Sequence, residues 1–294
     1  MGAATNRVAV ALYPPAPREE AVVQSVPETP VEVPPSCFVL DELGVSLVVP
    51  AYNEEGRLPF TLGAYLDAFE GRGLPFEIIV VVDGSTDNTA KVARGFCDRN
   101  VHVLEFEQKL GKGGAVLEGF KAARYEVVGF LDADGPIAPT DFLTLVNRLD
   151  CHDGAIASRR MPDSKVTSPQ PFARVVLSRV WNVLVRSSLG LPFSDTQCGA
   201  KVFRRSATLP VLRKVQVTNW AFDVDLLFHL QRMKRSVIEV PVQWAHDHDT
   251  RLATTRAIVA MLTSLVGIRL MNHPLSQVIP SRIASRLYEL VATE

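Results

Sequence analysis

Apolar residues are gathered into short, nearly unbroken runs through the first half of the chain, and each run is stopped by a polar cluster. Val45 to Pro50 is the first such run, and Glu77 to Val82, Val101 to Leu104 and Val127 to Leu131 repeat it. Runs this short and this rich in β-branched residues predict strands covered on both faces. Helical stretches are expected between them, at Leu58 to Phe69, Asp87 to Cys97 and Gly114 to Ala123. Strands alternating with helices of that length predict right-handed βαβ units, hence an α/β fold with a mostly parallel sheet. Ligands of such sheets lie beyond the carboxyl ends of the strands. Asn53-Glu54-Glu55, Asp83 to Asn88 and Asp132-Ala133-Asp134 all fall there.

The second half alternates less regularly. Helices are expected at Pro171 to Leu189, Phe222 to Met233 and Thr254 to Met271, with a loop at Ser194 to Gly199 and strands at Ala200 to Phe203 and Val237 to Val242. The change of pattern predicts a nucleotide-binding portion followed by an acceptor portion, both on one sheet. Residues 1–43, with paired prolines at 14–15 and 34–35, read as a flexible Pro-rich leader. One folded domain is expected over 44–274, and residues 275–294 form a tail.

Composition narrows the chemistry. A chain of 294 residues, 47% hydrophobic, buries a sizeable core, and a net charge of -1 gives no general attraction for nucleic acid. An anionic ligand must therefore be held locally. Cys37, Cys97, Cys151 and Cys198 lack CxxC spacing, so neither a zinc site nor a disulfide framework is indicated. The start lacks the basic and apolar regions of a signal peptide. The apolar stretch from Ala257 to Leu270 is shorter than the roughly 20 residues that span a bilayer and includes Arg269. The expected location is cytoplasmic, with membrane contact at most peripheral. Arg174, Arg179 and Arg186 among Val, Leu and Trp suit an interfacial helix, and a core helix with salt bridges has the same composition.

Asp132-Ala133-Asp134 ends an apolar strand, and continued pleating would turn both carboxylates to one side. Paired acids with a diphosphate hold Mg²⁺ or Mn²⁺; a solvated turn is the alternative. Asp83-Gly84-Ser85-Thr86-Asp87 follows a strand and opens a helix, so its polar side chains either meet a ligand or only cap. Leu110-Gly111-Lys112-Gly113-Gly114 lacks the GxxxxGK[ST] order of a P-loop, leaving Lys112 as a candidate diphosphate contact and the glycines as a flexible helix start. His246 and His248 read as an exposed loop rather than metal ligands. Cys198 has no feature that would make it a nucleophile.

Taken in order, Val48-Val49-Pro50-Ala51-Tyr52-Asn53-Glu54-Glu55, Val82 to Asp87, Gly111-Lys112-Gly113 and Asp132 to Gly135 resemble the family 2 inverting glycosyltransferases of the GT-A fold. Asp195 to Lys201 and Trp220 to Asp225 look like the subgroup that glucosylates dolichyl and other polyprenyl phosphates. The resemblance implies a nucleotide-sugar donor, a polyprenyl-phosphate acceptor and Mg²⁺ or Mn²⁺ on Asp132 and Asp134. It implies that Pro50, Ala51, Tyr52, Glu54 and Asp83 surround the nucleoside, with Asp83 facing the base, and that Lys112, Asp132 and Ala133 line the donor. Arg159 and Arg251 would meet phosphates, Trp220 and Gln197 the acceptor side, and Asp134, Gln197 and Asp225 would serve catalysis. Gly135-Pro136 stands where mannose-transferring relatives often carry a metal-contacting Gln, which favours glucose. Asp225 stands where the subgroup usually has Glu, and an alcohol acceptor would need Asp225 or Asp223 as base. A GDP-mannose donor, a small soluble acceptor and a non-catalytic nucleotide-sugar-binding role are the alternatives.

Overall fold

The computed structural model describes residues 43–167, 172–244 and 255–272. The expected leader and tail, together with Arg251, His246 and His248, lie outside them. The chain runs β1 (Val45–Ala51), α1 (Leu58–Arg72), β2 (Phe76–Asp83), α2 (Thr89–Arg94), β3 (Val101–Phe106), α3 (Gly111–Ala122) and β4 (Val127–Leu131). It continues through α4 (Pro139–Asn147), a 3₁₀ turn (Arg148–Asp150), β5 (Gly154–Ser158), β6 (Lys165–Val166) and α5 (Phe172–Leu189). The described part closes with β7 (Ala200–Arg204), α6 (Arg205–Leu212), α7 (Phe222–Arg232), β8 (Val237–Pro241), β9 (Gln243–Trp244) and α8 (Thr255–Met271).

Seven strands form one sheet in the order β3-β2-β1-β4-β7-β5-β8, in which β7 alone runs against its neighbours. Both halves of the chain share this sheet. The order reverses between β1 and β4, which pair from Val45↔Val127 to Val48↔Phe130, so a crevice opens beyond their carboxyl ends. A short parallel pair, β6 with β9, stands apart.

The apolar runs are explained by burial on both faces. Along β2, Ile78, Val80 and Val82 face a layer that includes Leu62, Phe69 and Phe142, whereas Ile79 and Val81 face Val116, Phe120, Phe222 and Leu227. Each strand position is therefore apolar whichever way it points. Gly119 lets α3 lie directly on β1, since a Cβ there would sit 2.3 Å from Val48.

Four features were not read from the sequence: α4, β5, α6 and the β6–β9 pair. Gly154 to Ser158 has small residues on either side of a single large one, Ile156, and shows no alternation long enough to read, and α6 contains Pro210. Both are fixed by tertiary partners, β5 by β7 and β8. The helix expected from Asp87 to Cys97 is confined to Thr89–Arg94.

Candidate active site

The loops after β1 and β2 interlock. Asn53, in the left-handed region at φ 55°, accepts the Thr86 N–H at 2.8 Å. The Glu54 N–H donates to Thr89 Oγ1 at 2.8 Å, and Glu55 accepts from the Asn88 N–H at 2.8 Å. This lacing fixes Pro50, Ala51 and Tyr52 at the mouth of the crevice. Tyr52 is 41% exposed, and the Lys109 ammonium lies 4.3 Å from its ring centre.

Asp83 ends β2 beneath the same mouth. Its carboxylate is buried and accepts the Leu110 and Gly111 N–H groups at the start of α3. Burial raises its pKa, against the lowering effect of those two amides. It anchors the start of the helix that carries Lys112. The glycines of that helix start are also a matter of packing. Gly111 has φ 80°, and a Cβ there would sit 2.7 Å from the Thr218 carbonyl; one at Gly113 would meet Phe222 at 2.4 Å. Because the Gly113 N–H donates to Thr218 O at 2.7 Å, the loop is closed onto the protein and does not form an open phosphate cradle.

The acidic loop is a turn, not a continued strand: the Gly135 N–H returns to Asp132 O at 3.1 Å. The two carboxylates are thus brought together by the turn rather than by pleating. Thr61 of α1 fixes the loop through the Ala133 carbonyl at 2.8 Å, and the Asp132 N–H donates to Gly199 O at 3.0 Å. Gly199 lets the Asp132 side chain lie against it, since a Cβ there would sit 2.1 Å from Asp132 Oδ2 and displace that carboxylate.

Charge is unevenly settled around this turn. Lys112 Nζ bonds Asp132 Oδ1 at 2.7 Å and stands 3.8 Å from Asp223 Oδ2. Burial works against the Lys112 charge, but Asp132 and Asp223 outweigh it and hold the pKa above the ordinary lysine value. Asp134 Oδ1 is buried without a hydrogen-bond partner. Burial, and then the Asp132 charge, push the Asp134 carboxyl up to about 6. An orphaned carboxylate oxygen beside a second carboxylate is a pair of hard oxygen donors that fits Mg²⁺ or Mn²⁺.

The segment from Ser194 to Lys201 serves the same turn from the other side. Asp195 takes the Arg159 guanidinium in a bidentate pair at 2.7 and 2.8 Å, which keeps the Asp195 pKa low despite burial. Glu239 of β8 holds this turn through the Ser194 and Asp195 N–H groups at 2.8 and 3.0 Å. Gln197 donates to Trp220 O at 3.1 Å, and the Trp220 ring lies 5.5 Å from Lys112 Nζ. Cys198 is fully buried with its thiol pushed up to about 12 by burial, in keeping with an inert side chain.

Lys201 was given no role by the sequence, yet it is fully buried. Its ammonium bonds Asp223 Oδ1 at 2.6 Å and Cys198 O at 2.7 Å. A lysine inside an apolar strand needs a carboxylate partner, and that was the available signal. Asp225 receives the opposite correction. Its Oδ2 accepts the Gln216 and Val217 N–H groups at 2.8 and 3.0 Å, and its Oδ1 lies 3.3 Å from His229 Nε2. Of the two acids of α7, Asp223 meets the charged cluster and Asp225 holds the preceding turn.

A recess of about 490 Å³ lies beside this cluster, lined by Arg159, Arg160, Val166, Val175, Ser178 and Arg179. The charge of Asp132 is felt at Arg159, which ties the recess to the acidic turn. Arg160 bonds Ser178 Oγ at 2.8 Å, and burial, with the neighbouring Arg159 and Arg179, depresses its pKa. The sequence assigns no role to Arg160 and Ser178, and places Arg179 only on an interfacial or core helix.

Comparisons with known proteins agree with this architecture. The family model described as Glycosyl transferase family 2 matches residues 46–209. The chain is 36% identical over 234 residues to the dolichyl-phosphate beta-glucosyltransferase of Drosophila melanogaster, covering 74% of this chain and 72% of the relative. With the human protein of the same name it shares 33% over 255 residues, covering 81% and 79%. Among solved structures, glucosyl-3-phosphoglycerate synthase from Mycobacterium tuberculosis, in complex with Mn²⁺, UDP and phosphoglyceric acid, superposes with a TM-score of 0.57. The identity is 21%, over 79% of this chain and 80% of that one, so the likeness is one of fold: a GT-A-like α/β sheet.

Proposed function

The chain belongs to glycosyl transferase family 2 and is a glycosyltransferase, and from that premise we propose that it moves glucose from UDP-glucose to a polyprenyl phosphate of the dolichyl type. The observation that carries the acceptor class is the arginine-lined recess next to Asp132 and Asp134. Arg159, Arg160 and Arg179 converge there, with Arg159 paired to Asp195 and within the field of Asp132, and guanidinium groups suit a phosphate better than an alcohol. The names of the relatives support the same acceptor.

In this reading Tyr52 and Lys109 border the nucleoside, and Lys112 faces the diphosphate. Asp132 and Asp134 would hold Mg²⁺ or Mn²⁺. A bound divalent ion supplies electrostatic stabilisation of the departing UDP. The acceptor phosphate, with a second pKa near about 6, is largely anionic at neutral pH and needs no strong base. Its oxygen attacks the anomeric carbon of glucose while the bond from that carbon to the diphosphate breaks, with inversion. Asp223, engaged by Lys201 and Lys112, orients Lys112 and takes no proton. A lipid acceptor places the enzyme at a membrane face, held peripherally. Among the described residues no helix is long and apolar enough to cross a bilayer.

The test is transfer of labelled sugar from UDP-glucose and, in parallel, GDP-mannose to a short polyprenyl phosphate with Mg²⁺ or Mn²⁺. Glucolipid from UDP-glucose that falls about a hundredfold or more in Asp134→Ala is the expected result. No lipid product from either donor would overturn the acceptor, and product from GDP-mannose alone would overturn the sugar.

A further inference from the structure

Twelve large apolar side chains are exposed among the described residues, and eight of them lie on α5 and α8. On α5, Val176, Leu177, Val180, Val183 and Leu184 recur at helical spacing along one stripe, with Val183 65% exposed. The opposite side of the same helix, through Trp181, Val185 and Leu189, is buried in the core. On α8, Leu262, Val266 and Leu270 form a second stripe at i, i+4, i+8, and Leu265 and Ile268 face inward. The two helices pack against each other. A soluble surface rarely concentrates its apolar exposure in this way unless something covers it.

The charges on these helices say what kind of surface does so. Among the described side chains α5 carries Arg179 and Arg186 and α8 carries Arg269, all exposed, and neither helix contains an acidic residue. An apolar stripe with only positive charge suits the boundary between headgroups and acyl chains of an anionic bilayer. Continuity with the site points the same way. Val175, Ser178 and Arg179 of α5 line the arginine recess, and Val176 and Val180 of the exposed stripe directly follow Val175 and Arg179 in the chain.

We propose that the exposed stripes of α5 and α8 are the membrane-docking surface of this protein, binding anionic lipid and delivering a membrane-held phosphate to the recess lined by α5. The proposal rests on the lipid-acceptor reading for its role in turnover, but binding to a bilayer is measured without turnover. The full chain is floated with phosphatidylcholine vesicles, with and without phosphatidylglycerol, and compared with the double variant Val183→Glu/Val266→Glu. Both residues are outside the recess and the acidic cluster, and their exposure leaves the fold intact, which circular dichroism and the melting temperature check.

The wild type is expected to float with the anionic vesicles and more weakly with the neutral ones. The double variant should lose roughly tenfold or more of the bound fraction while still transferring glucose to a short, water-soluble prenyl phosphate. A wild type that does not float, or a folded variant that floats as well as the wild type, overturns the surface. A wild-type dimer that the variant converts to a monomer, with no flotation, assigns the stripes to a second copy and also overturns it. Flotation that depends on the stripes, without transfer to any prenyl phosphate, leaves the surface standing and overturns the acceptor reading instead.

Discussion

The turn from Asp132 to Gly135 and the segment from Ser194 to Lys201 meet at Gly199, yet they settle their polar groups in opposite ways. In the later segment Asp195 has Arg159, Ser194 has Glu239, Thr196 has Asn182 and Lys201 has Asp223. In the acidic turn the backbone is equally well held, but one Asp134 oxygen is buried with no partner and its carboxyl is pushed up to about 6. A fold that satisfies one segment and leaves its neighbour short of positive charge has kept that deficit for a ligand. The satisfied segment supplies the rigidity that prevents the turn from relaxing around its own charges.

Removing a charge from the satisfied segment should therefore cost the fold most. Lys201→Met deletes a fully buried ammonium and leaves Asp223 buried, with Lys112 3.8 Å away. Breaking one side of such a pair costs about 3–5 kcal/mol, read as a lower urea midpoint. A loss under about 1 kcal/mol would break the comparison, because Asp223 would then be settled without Lys201.

Removing a charge from the acidic turn should do the reverse. The folded-state pKa of Asp134 is raised, so the folded chain binds the proton more tightly than the unfolded chain does. Stability is then highest below the unfolded carboxylate value, falls as pH rises from about 4 to 6, and stays reduced above that. Asp134→Asn abolishes the deficit. In metal-free buffer at pH 7 it is expected to be more stable than the wild type by about 1–3 kcal/mol, with the difference vanishing near pH 4. Melting curves at the two pH values decide it. A variant less stable at pH 7 would mean that Asp134 is already satisfied within the protein.

How far the sequence revealed this contrast follows from where each partner lies. The strands β1 to β4 and their polar ends could be read because an apolar run and the cluster that stops it are adjacent in the chain. The Asp132-Ala133-Asp134 pairing was equally legible, although the turn that makes it was not. What escaped was long-range: Asp83 with the amides of residues 110 and 111, Lys201 with Asp223, Glu239 with Ser194. The same holds for β5, whose small residues become a strand only between β7 and β8. Motif reading located the acids of α7 but could not tell which one faces the site, since Asp223 and Asp225 differ by only two helical positions.

That last ambiguity gives the smallest expected effect. Asp225 accepts two backbone N–H groups and neighbours His229, so it belongs with the satisfied groups despite standing in a motif associated with chemistry. An asparagine of the same shape keeps an oxygen for the Gln216 and Val217 amides and loses only the charge. Asp225→Asn should cost on the order of 1–2 kcal/mol of stability and leave turnover per folded molecule within about twofold of wild type. Glucose transfer, normalised to folded protein by near-ultraviolet circular dichroism, makes the comparison. If transfer drops a hundredfold while the fold and melting temperature persist, the carboxylate takes part in the reaction, and the division between satisfied scaffold and charge-deficient turn no longer marks the boundary of the catalytic site.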